Sequence, residues 1–349
     1  MKKSRYLLAP LAAFAVLAAA CSDDKDSSST TAAGSTGSTE DAGTTAPDGS
    51  TATSDTVEVT EGEDITIAVI THGDGGVFWS VAQKGAEQAG KDLGITVNYQ
   101  GGNNDGAAQA KLIDDAVAAG VDGIAVSLAD PGALESSVKA AVAAGIPLVT
   151  MNSGSDLFEE LGAITHVGQD ETVAGNGAGK RFAAEGKKKL LCVMQEQSNV
   201  GLQARCDGAA ETFDGEVVEL TTAGDADPTT SQSEIKAALD ADADIDAIFA
   251  TGPIGAVLAR DAVAELGRDI MIGSVDLSTD LLDAIEAGDI AFTIDQQQYV
   301  QGYLAVVILY LNITNANTVG GGLPVYTGPG FITADNVAAV KDLVAKGSR

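Results

Sequence analysis

The sequence predicts an α/β protein with two Rossmann-like lobes, each built on a parallel sheet, and a ligand cleft between the lobes. From residue 65 onwards, short apolar runs alternate with Ala-rich stretches. This alternation is the pattern of parallel strands connected by right-handed helical crossovers. The series is too long for one ordinary doubly wound sheet but fits two. A stretch at 152–170 that contains Gly and Ser and lacks this regular pattern interrupts the alternation between the two halves.

The predicted strands are apolar runs rich in β-branched residues, bounded by Gly or polar residues. They cover 65–70, 96–99, 123–128, 147–151, 190–194, 217–220, 245–250, 270–273 and 291–294. The predicted helices cover 81–93, 107–119, 134–144, 173–184, 202–212, 231–239, 254–266, 279–287 and 300–311. Strand 65–70 is apolar almost without interruption, so we expect both of its faces to be buried.

The first strand–loop–helix unit, 65–94, contains the only Trp of the chain. Ligands of open parallel sheets bind beyond the carboxyl ends of the strands. His72, Asp74, Phe78 and Trp79 follow strand 65–70 at that position, with the helix expected to begin near Trp79. Aromatic residues make up only 4% of the chain, so two adjacent rings indicate a ligand contact. The alternative is that one ring packs the helix onto the sheet.

Charge and length limit the classes of function. The formal net charge is −30, and the 349 residues suffice for two domains with separate cores. Because an acidic surface repels phosphate groups, nucleic acid is not an expected partner, and neither is an anionic lipid surface.

The amino-terminal region has the layout of an export signal at 1–20. Lys2, Lys3 and Arg5 precede an apolar stretch too short to span a membrane, and small residues lead directly to Cys21. This end resembles the lipobox of bacterial lipoproteins, which implies cleavage before Cys21 and a lipid anchor on its sulfur. The alternative is a plain secretory cleavage site. Residues 21–63 are rich in Ser, Thr, Asp and Gly and are expected to form a disordered tether.

Most motifs that could carry chemistry are incomplete. Residues 175–180 resemble a phosphate-binding loop superficially, but Ala174 and Arg181 stand where Gly and Ser/Thr are required. We interpret these glycines as close helix packing. His72 and His166 lie in different units without metal-ligand spacing, and the carboxylates at 240–246 lack the Gly turn of a calcium loop. We therefore predict no metal, no cofactor and no enzymatic activity.

Two cysteines remain once Cys21 is assigned to the lipid. Cys192 lies in a predicted strand and Cys206 in the helix that follows it. A crossover helix packs back over its own sheet, so the two residues can approach each other in an exported protein. We favour a disulfide over two separately buried thiols.

The region from Ile65 to about Lys341 resembles the type I sugar-binding proteins of bacterial ABC importers, the group of ribose- and galactose-binding proteins. The matching stretches, in order, are VFWSVAQKGAEQAG, GVDGIAVSLADPGAL, AAGIPLVTMNSG, VGQDETVAGNGAGK, QARCDGAA, IMIGSVDLSTDLLDAIEAGDI and AFTIDQQQYVQG. The resemblance implies the type I periplasmic binding protein fold, with a three-crossing hinge and a cleft that closes on a monosaccharide or polyol. It also implies an ABC permease and its ATPase as partners, and a monomer at the outer face of the bacterial cell membrane.

The resemblance assigns ligand contacts residue by residue. Phe78 and Trp79 match the aromatic residues that sandwich the sugar, Arg205 the Arg of the second lobe, Asp276 the Asp of a strand end, and Gln296 the Gln at the hinge. With His72 and Asn152, these make up the predicted ligand site. A structural ion pair between Asp276 and Arg205 is the alternative. Asn152-Ser153 replaces the Asp-Arg of ribose-type members, which leaves the choice of sugar open.

The same resemblance suggests lobe boundaries. The first lobe would comprise 64–167 and 297–321, and the second 168–296 and 322–349. The crossings are expected at 165–169, 295–297 and 319–323, where Gly320, Gly321 and Gly322 permit large backbone changes. A receptor for a sugar-like extracellular signal would share every one of these cleft features, so it stays as an alternative function.

Overall fold

The computed structural model describes residues 64–349, which fold into two α/β lobes. The predicted signal at 1–20, the lipidation site Cys21 and the tether at 21–63 lie outside the described residues. No helix in the described part of the chain is both long enough and apolar enough to cross a membrane.

The described strands and helices follow the predicted alternation. The strands are β1 (Thr66–Thr71), β2 (Thr96–Gly101), β3 (Gly123–Val126), β4 (Leu148–Asn152), β5 (Thr165–Gly168), β6 (Lys189–Met194), β7 (Glu216–Thr221), β8 (Ala247–Ala250), β9 (Met271–Val275), β10 (Phe292–Asp295), β11 (Val325–Tyr326) and β12 (Gly330–Ile332). The helices are α1 (Gly76–Leu93), α2 (Gly106–Ala119), α3 (Pro131–Ala143), α4 (Glu171–Ala184), α5 (Val200–Thr212), α6 (Pro228–Ala241), α7 (Pro253–Leu266), α8 (Thr279–Ala287), α9 (Gln298–Asn315) and α10 (Val337–Ala345). A short 3₁₀ segment spans Val319–Gly322.

Each lobe contains one sheet, and the two sheets share one topology. The strand order is β11-β5-β4-β3-β1-β2 in the first lobe and β12-β10-β9-β8-β6-β7 in the second. Neighbouring strands are parallel except for β12, which pairs antiparallel with β10. The prediction of two parallel-dominated sheets is confirmed. It missed β5, β11, β12 and α10. The three strands have only two to four residues, which carry little periodicity, and β5 also lies inside the stretch taken as the boundary between the lobes.

The chain crosses between the lobes at three places. Two of them follow Gly168 and Asp295, the ends of β5 and β10, within the predicted ranges. The third expected crossing, at 319–323, is wrong. Val325 and Tyr326 still pair with β5 in the first sheet, so the chain crosses only between Tyr326 and Gly330. The glycines of 319–323 form a tight turn instead, with Gly320 and Gly321 at positive φ.

Apolar side chains cover both faces of each sheet, as β1 shows. Ile67 and Val69 belong to the core under α1 and α9, whereas Ala68 and Ile70 belong to the opposite core, under α2 and α3. All four are buried. Strand 65–70 therefore lacks polar alternation because neither of its faces meets water.

The glycines at 175–180 serve helix packing, as interpreted from the sequence. A Cβ atom on Gly175 would lie 2.2 Å from the carbonyl oxygen of Arg205, and one on Gly208 would lie 2.3 Å from that of Thr172. Helices α4 and α5 therefore touch backbone to backbone. In the same layer, the sulfur atoms of Cys192 on β6 and Cys206 on α5 lie 2.00 Å apart, with a Cα separation of 5.9 Å.

Candidate ligand-binding cleft

A cavity of about 360 Å³ lies between the lobes, beyond the carboxyl ends of the strands. All seven predicted ligand residues line it: His72, Phe78, Trp79 and Asn152 from the first lobe, Arg205 and Asp276 from the second, and Gln296 from the crossing after β10. The two sheets share one topology and face each other across the hinge, so residues more than 200 positions apart meet in one site.

His72 forms part of the first-lobe wall, one residue after β1. Its backbone N–H donates to the Ser127 hydroxyl (2.6 Å), and its ring Nδ1 lies 2.8 Å from the same oxygen. Its ring contacts Trp79 edge-on, with the centroids 4.7 Å apart. Burial lowers the pKa of His72 below its usual 6.5, so the imidazole is neutral at pH 7 and serves hydrogen bonding rather than charge.

The two adjacent rings at the start of α1 contact each other. The centroids of Phe78 and Trp79 are 4.8 Å apart and their planes meet at 78°. No sugar ring fits between them, so they do not form the two sides of a sandwich. Together they present one aromatic wall, whereas the second-lobe side of the cavity carries aliphatic groups from Ala226, Pro253 and Ile254.

Asn152 and Asp276 occupy equivalent places in the two lobes, at the ends of β4 and β9. Both have left-handed backbones, with φ of 63° and 68°, a conformation that Asn and Asp tolerate better than most residues. Gln296 joins them. The Asn152 amide donates to its Oε1 (3.2 Å), and its own amide donates to Asp276 Oδ1 (2.7 Å). One hydrogen-bonded chain therefore runs from lobe to lobe through the crossing.

Asp276 is a buried carboxyl group, with only 7% of its surface exposed. Burial raises its pKa to about 7, although Arg205 and the Gln296 hydrogen bond act in the opposite direction. Among the described residues, only its Oδ1 accepts a hydrogen bond from a side chain. Its other oxygen is therefore available to a group in the cavity.

Arg205 reaches the cavity from α5, and its ion-pair partner is Glu171. Nε and Nη2 donate to the two oxygens of Glu171 (2.6 and 2.9 Å), and Nη1 donates to the Thr251 carbonyl (2.7 Å). Burial alone would lower the pKa of Arg205, but the adjacent Glu171 carboxylate raises it, so the guanidinium stays charged. The ion pair between Arg205 and Asp276, which was the alternative interpretation of the sequence, does not form, because Arg205 pairs with Glu171.

The lobes also touch across the cleft. The backbone N–H of Val200 donates to the carbonyl of Ala129 (3.1 Å). The Asn199 amide lies 3.4 Å from His72 Nε2, and Glu196 Oε2 lies 3.7 Å from the same atom. These contacts join the first lobe to the start of α5, so the structure represents a closed arrangement of the cleft.

Comparisons with known proteins match this architecture. Residues 67–317 match the periplasmic binding protein domain family. The chain belongs to this family. A carbohydrate transporter from Acidothermus cellulolyticus, solved in complex with myo-inositol, is 45% identical with a TM-score of 0.79 and covers 82% of this chain and 100% of its own. A xylose/arabinose-binding protein from Sulfolobus acidocaldarius is 26% identical over 290 residues, 78% of this chain and 71% of the relative. The ribose import binding protein of Bacillus subtilis is 27% identical over 232 residues, 65% of this chain and 75% of that protein.

Several cavity residues of this periplasmic binding protein were not predicted from the sequence. Those with polar side chains are Asn104, Gln195, Glu196, Asn199 and Asp225. They follow β2, β6 and β7. The rule that ligands bind beyond the carboxyl ends of parallel strands, here called the carboxyl-end rule, would have found them if it had been applied to every strand. Glu171 follows β5 but does not line the cavity.

The remaining candidates serve structure. His166 lies within β5, and its Nδ1 is 2.9 Å from the Thr150 hydroxyl. In the run 240–246, Asp246 accepts hydrogen bonds from the backbone N–H groups of Lys188 and Lys189 (2.9 Å each), which ties a turn to the start of β6. Within 64–349, no group of three or more His, Cys, Asp or Glu residues is placed to hold a metal ion.

Proposed function

We propose that this protein is the substrate-binding component of an ABC-type importer and that it binds a monosaccharide or cyclic polyol, with myo-inositol as the first candidate. The observation that carries the proposal is the composition of the interlobe cavity. It has an aromatic wall on one side and hydrogen-bonding groups from both lobes and the hinge around it.

A polyhydroxylated ring suits such a cavity. Its C–H face packs against an aromatic wall, here Trp79 and Phe78, and its paired hydroxyl groups need donors and acceptors at the edge. Asp276 accepts, Arg205 donates, and the amides of Asn152 and Gln296 do both. Because these groups come from different lobes, only the closed cleft satisfies all the hydroxyl groups of one ring.

The choice of myo-inositol rests on the Acidothermus protein, which is 45% identical and was solved with that ligand. The cavity volume of about 360 Å³ suits a single ring.

Calorimetry tests the proposal directly. The purified protein is titrated with myo-inositol, ribose, arabinose, xylose and glucose, and with glycerol as a linear control. We expect saturable binding of at least one cyclic ligand and a matching rise in melting temperature, because a ligand bound only by the folded state stabilises it. If no ring in this panel binds, the proposal is contradicted.

Ligand binding should act through lobe closure, a hinge motion for which periplasmic binding proteins are well known. A ligand that touches both lobes has a higher affinity for the closed state, and only this difference in affinity shifts the population. The three crossings after Gly168, Asp295 and Tyr326 form the hinge. Small-angle scattering should show a smaller radius of gyration at saturation. An unchanged radius would point to a cleft that is closed without ligand.

The predicted export signal, lipid anchor and tether complete the proposal. Cys21 would carry the lipid after removal of 1–20, and the tether 21–63 would hold the binding domain outside the membrane, where it meets the permease and its ATPase. Cys192 and Cys206 would form a disulfide there. We propose a monomer, as the resemblance to sugar-binding proteins implies, which light scattering after gel filtration would measure. Mass spectrometry of the membrane-extracted protein tests the lipid.

A further inference from the structure

Glu171 lies directly behind the guanidinium of Arg205. The two side chains form a bidentate ion pair and are 6% and 5% exposed. Arg205 lines the cavity, whereas Glu171 does not and instead lines a separate groove with Ser153 and Val200. We propose that Glu171 is a positioning residue that sets ligand specificity: by holding and neutralising Arg205, it restricts the cleft to uncharged polyols and excludes acidic ones. This inference rests on the proposed function.

The hydrogen bonds of Glu171 hold the pair in one position. Besides accepting from Nε and Nη2 of Arg205, Glu171 Oε2 accepts from the amide of Gln169 (2.7 Å). Gln169 is fully buried in the first crossing. Together with the bond from Nη1 to Thr251, these contacts fix the guanidinium at both ends. Arg205 therefore offers its remaining N–H groups to a ligand from a fixed place.

The charges around the cavity give Glu171 its effect on specificity. Arg205 is the only Lys or Arg among the described residues that line the cavity. Without Glu171 no carboxylate would be hydrogen-bonded to the guanidinium, and a positive charge without a bonded partner is what a carboxylate ligand needs. With Glu171 the pair is neutral, and the carboxyl groups of Asp74, Glu196 and Asp225 give the remaining lining a negative character. A neutral polyol can still accept the hydrogen bonds of Arg205, whereas an anion is repelled.

A matched pair of ligands tests this idea. Quinate is a cyclohexane polyol that carries a carboxylate, and myo-inositol is its neutral counterpart. For the unaltered protein we expect myo-inositol to bind about 100-fold more tightly than quinate or better. If quinate binds within threefold of myo-inositol, the inference is overturned while the proposed function stands. If neither these ligands nor any sugar binds, the proposed function itself has failed.

The variant Glu171→Gln removes the charge with little change of shape. Its affinity ratio of myo-inositol to quinate should fall by about tenfold or more, because the charge of Arg205 is no longer compensated. Asp170→Asn is the matched control. It removes one negative charge at the same helix end, keeps an N-capping side chain and does not touch Arg205, so its ratio should equal that of the unaltered protein. A parallel loss of affinity for both ligands in Glu171→Gln would indicate a structural role only.

If Glu171→Gln does not fold, the double variant Glu171→Gln, Arg205→Gln replaces it. This double variant also removes the guanidinium donors, so it should bind both ligands more weakly, but removing a pair that is already neutral should leave their affinity ratio within about threefold of its original value. A large rise in the ratio would mean that Arg205 attracts anions in spite of Glu171, which would overturn the inference.

Discussion

Replacing Asp276 by Asn should stabilise the ligand-free protein at alkaline pH and weaken ligand binding. The carboxyl group is buried, and its pKa is raised from 3.8 to about 7. Between these two pH values the unfolded chain has released this proton while the folded protein retains it, so the free energy of unfolding falls as the pH rises. Above pH 7 the loss is complete.

The pKa difference sets the size of the effect. A shift of about three units corresponds to an upper limit of about 4 kcal/mol, at 1.36 kcal/mol for each unit. Asn resembles the protonated carboxyl group in shape and never acquires the charge. The variant and the original protein should therefore be similarly stable only below about pH 4, where the folded and the unfolded chain both keep the proton. Near pH 5 only about one of the roughly three units between the two pKa values has been passed, so the advantage of the variant should be less than half of its value at alkaline pH. At pH 8.5 the variant should be more stable by about 1–4 kcal/mol, or about 2–4 °C for each kcal/mol.

Scanning calorimetry of the ligand-free proteins between pH 5 and 8.5 measures this difference. Asp114→Asn, which changes an exposed carboxylate on α2, is the matched control and should show no such pH dependence. A melting difference that is the same at pH 5 and pH 8.5 would refute the reasoning. In the same Asp276→Asn protein at pH 8.5, where the original carboxyl group is ionised, the affinity for myo-inositol should fall by about 1–3 kcal/mol, because hydroxyl groups lose a charged acceptor in a dry site.

Three further changes test the aromatic wall, the helix contact and the cysteine pair. Trp79→Ala should weaken myo-inositol binding by about 1–3 kcal/mol through lost contact with the ring; a folded variant with unchanged affinity would exclude Trp79 from the site. Gly208→Ala should lower the melting temperature, because its Cβ would lie 2.3 Å from the carbonyl of Thr172, whereas Gly255→Ala, with its nearest atom 3.6 Å away, should be neutral or stabilising. Cys192 and Cys206 should resist alkylation in the exported protein, and replacing both by Ala should cost about 3 kcal/mol for a loop of this length; two freely alkylated thiols would contradict the bond.

Local physical constraints explain how much of the fold could be predicted. The sequence of 65–70 predicts a buried parallel strand, because its apolar side chains point to both faces of the sheet and both faces must therefore be shielded from water. The carboxyl-end rule places His72 and Trp79 near a ligand without knowledge of any partner. Asp276 and Gln296 directly follow β9 and β10, so the same rule places them near a ligand. Arg205 lies inside α5 and needed the resemblance to sugar-binding proteins.

The sequence by itself determined the order of strands and helices, the presence of a core on each face of the sheets, and the strand ends beyond which a ligand can bind. These properties depend on apolar periodicity, which extends over a few neighbouring residues. Only the tertiary structure decided the position of the third crossing, the edge-on contact of Phe78 with Trp79 and the pairing of Arg205 with Glu171. The two members of this pair stand 34 positions apart. Which buried charge finds which partner depends on how α4 and α5 pack together, and no local pattern in the chain contains that information.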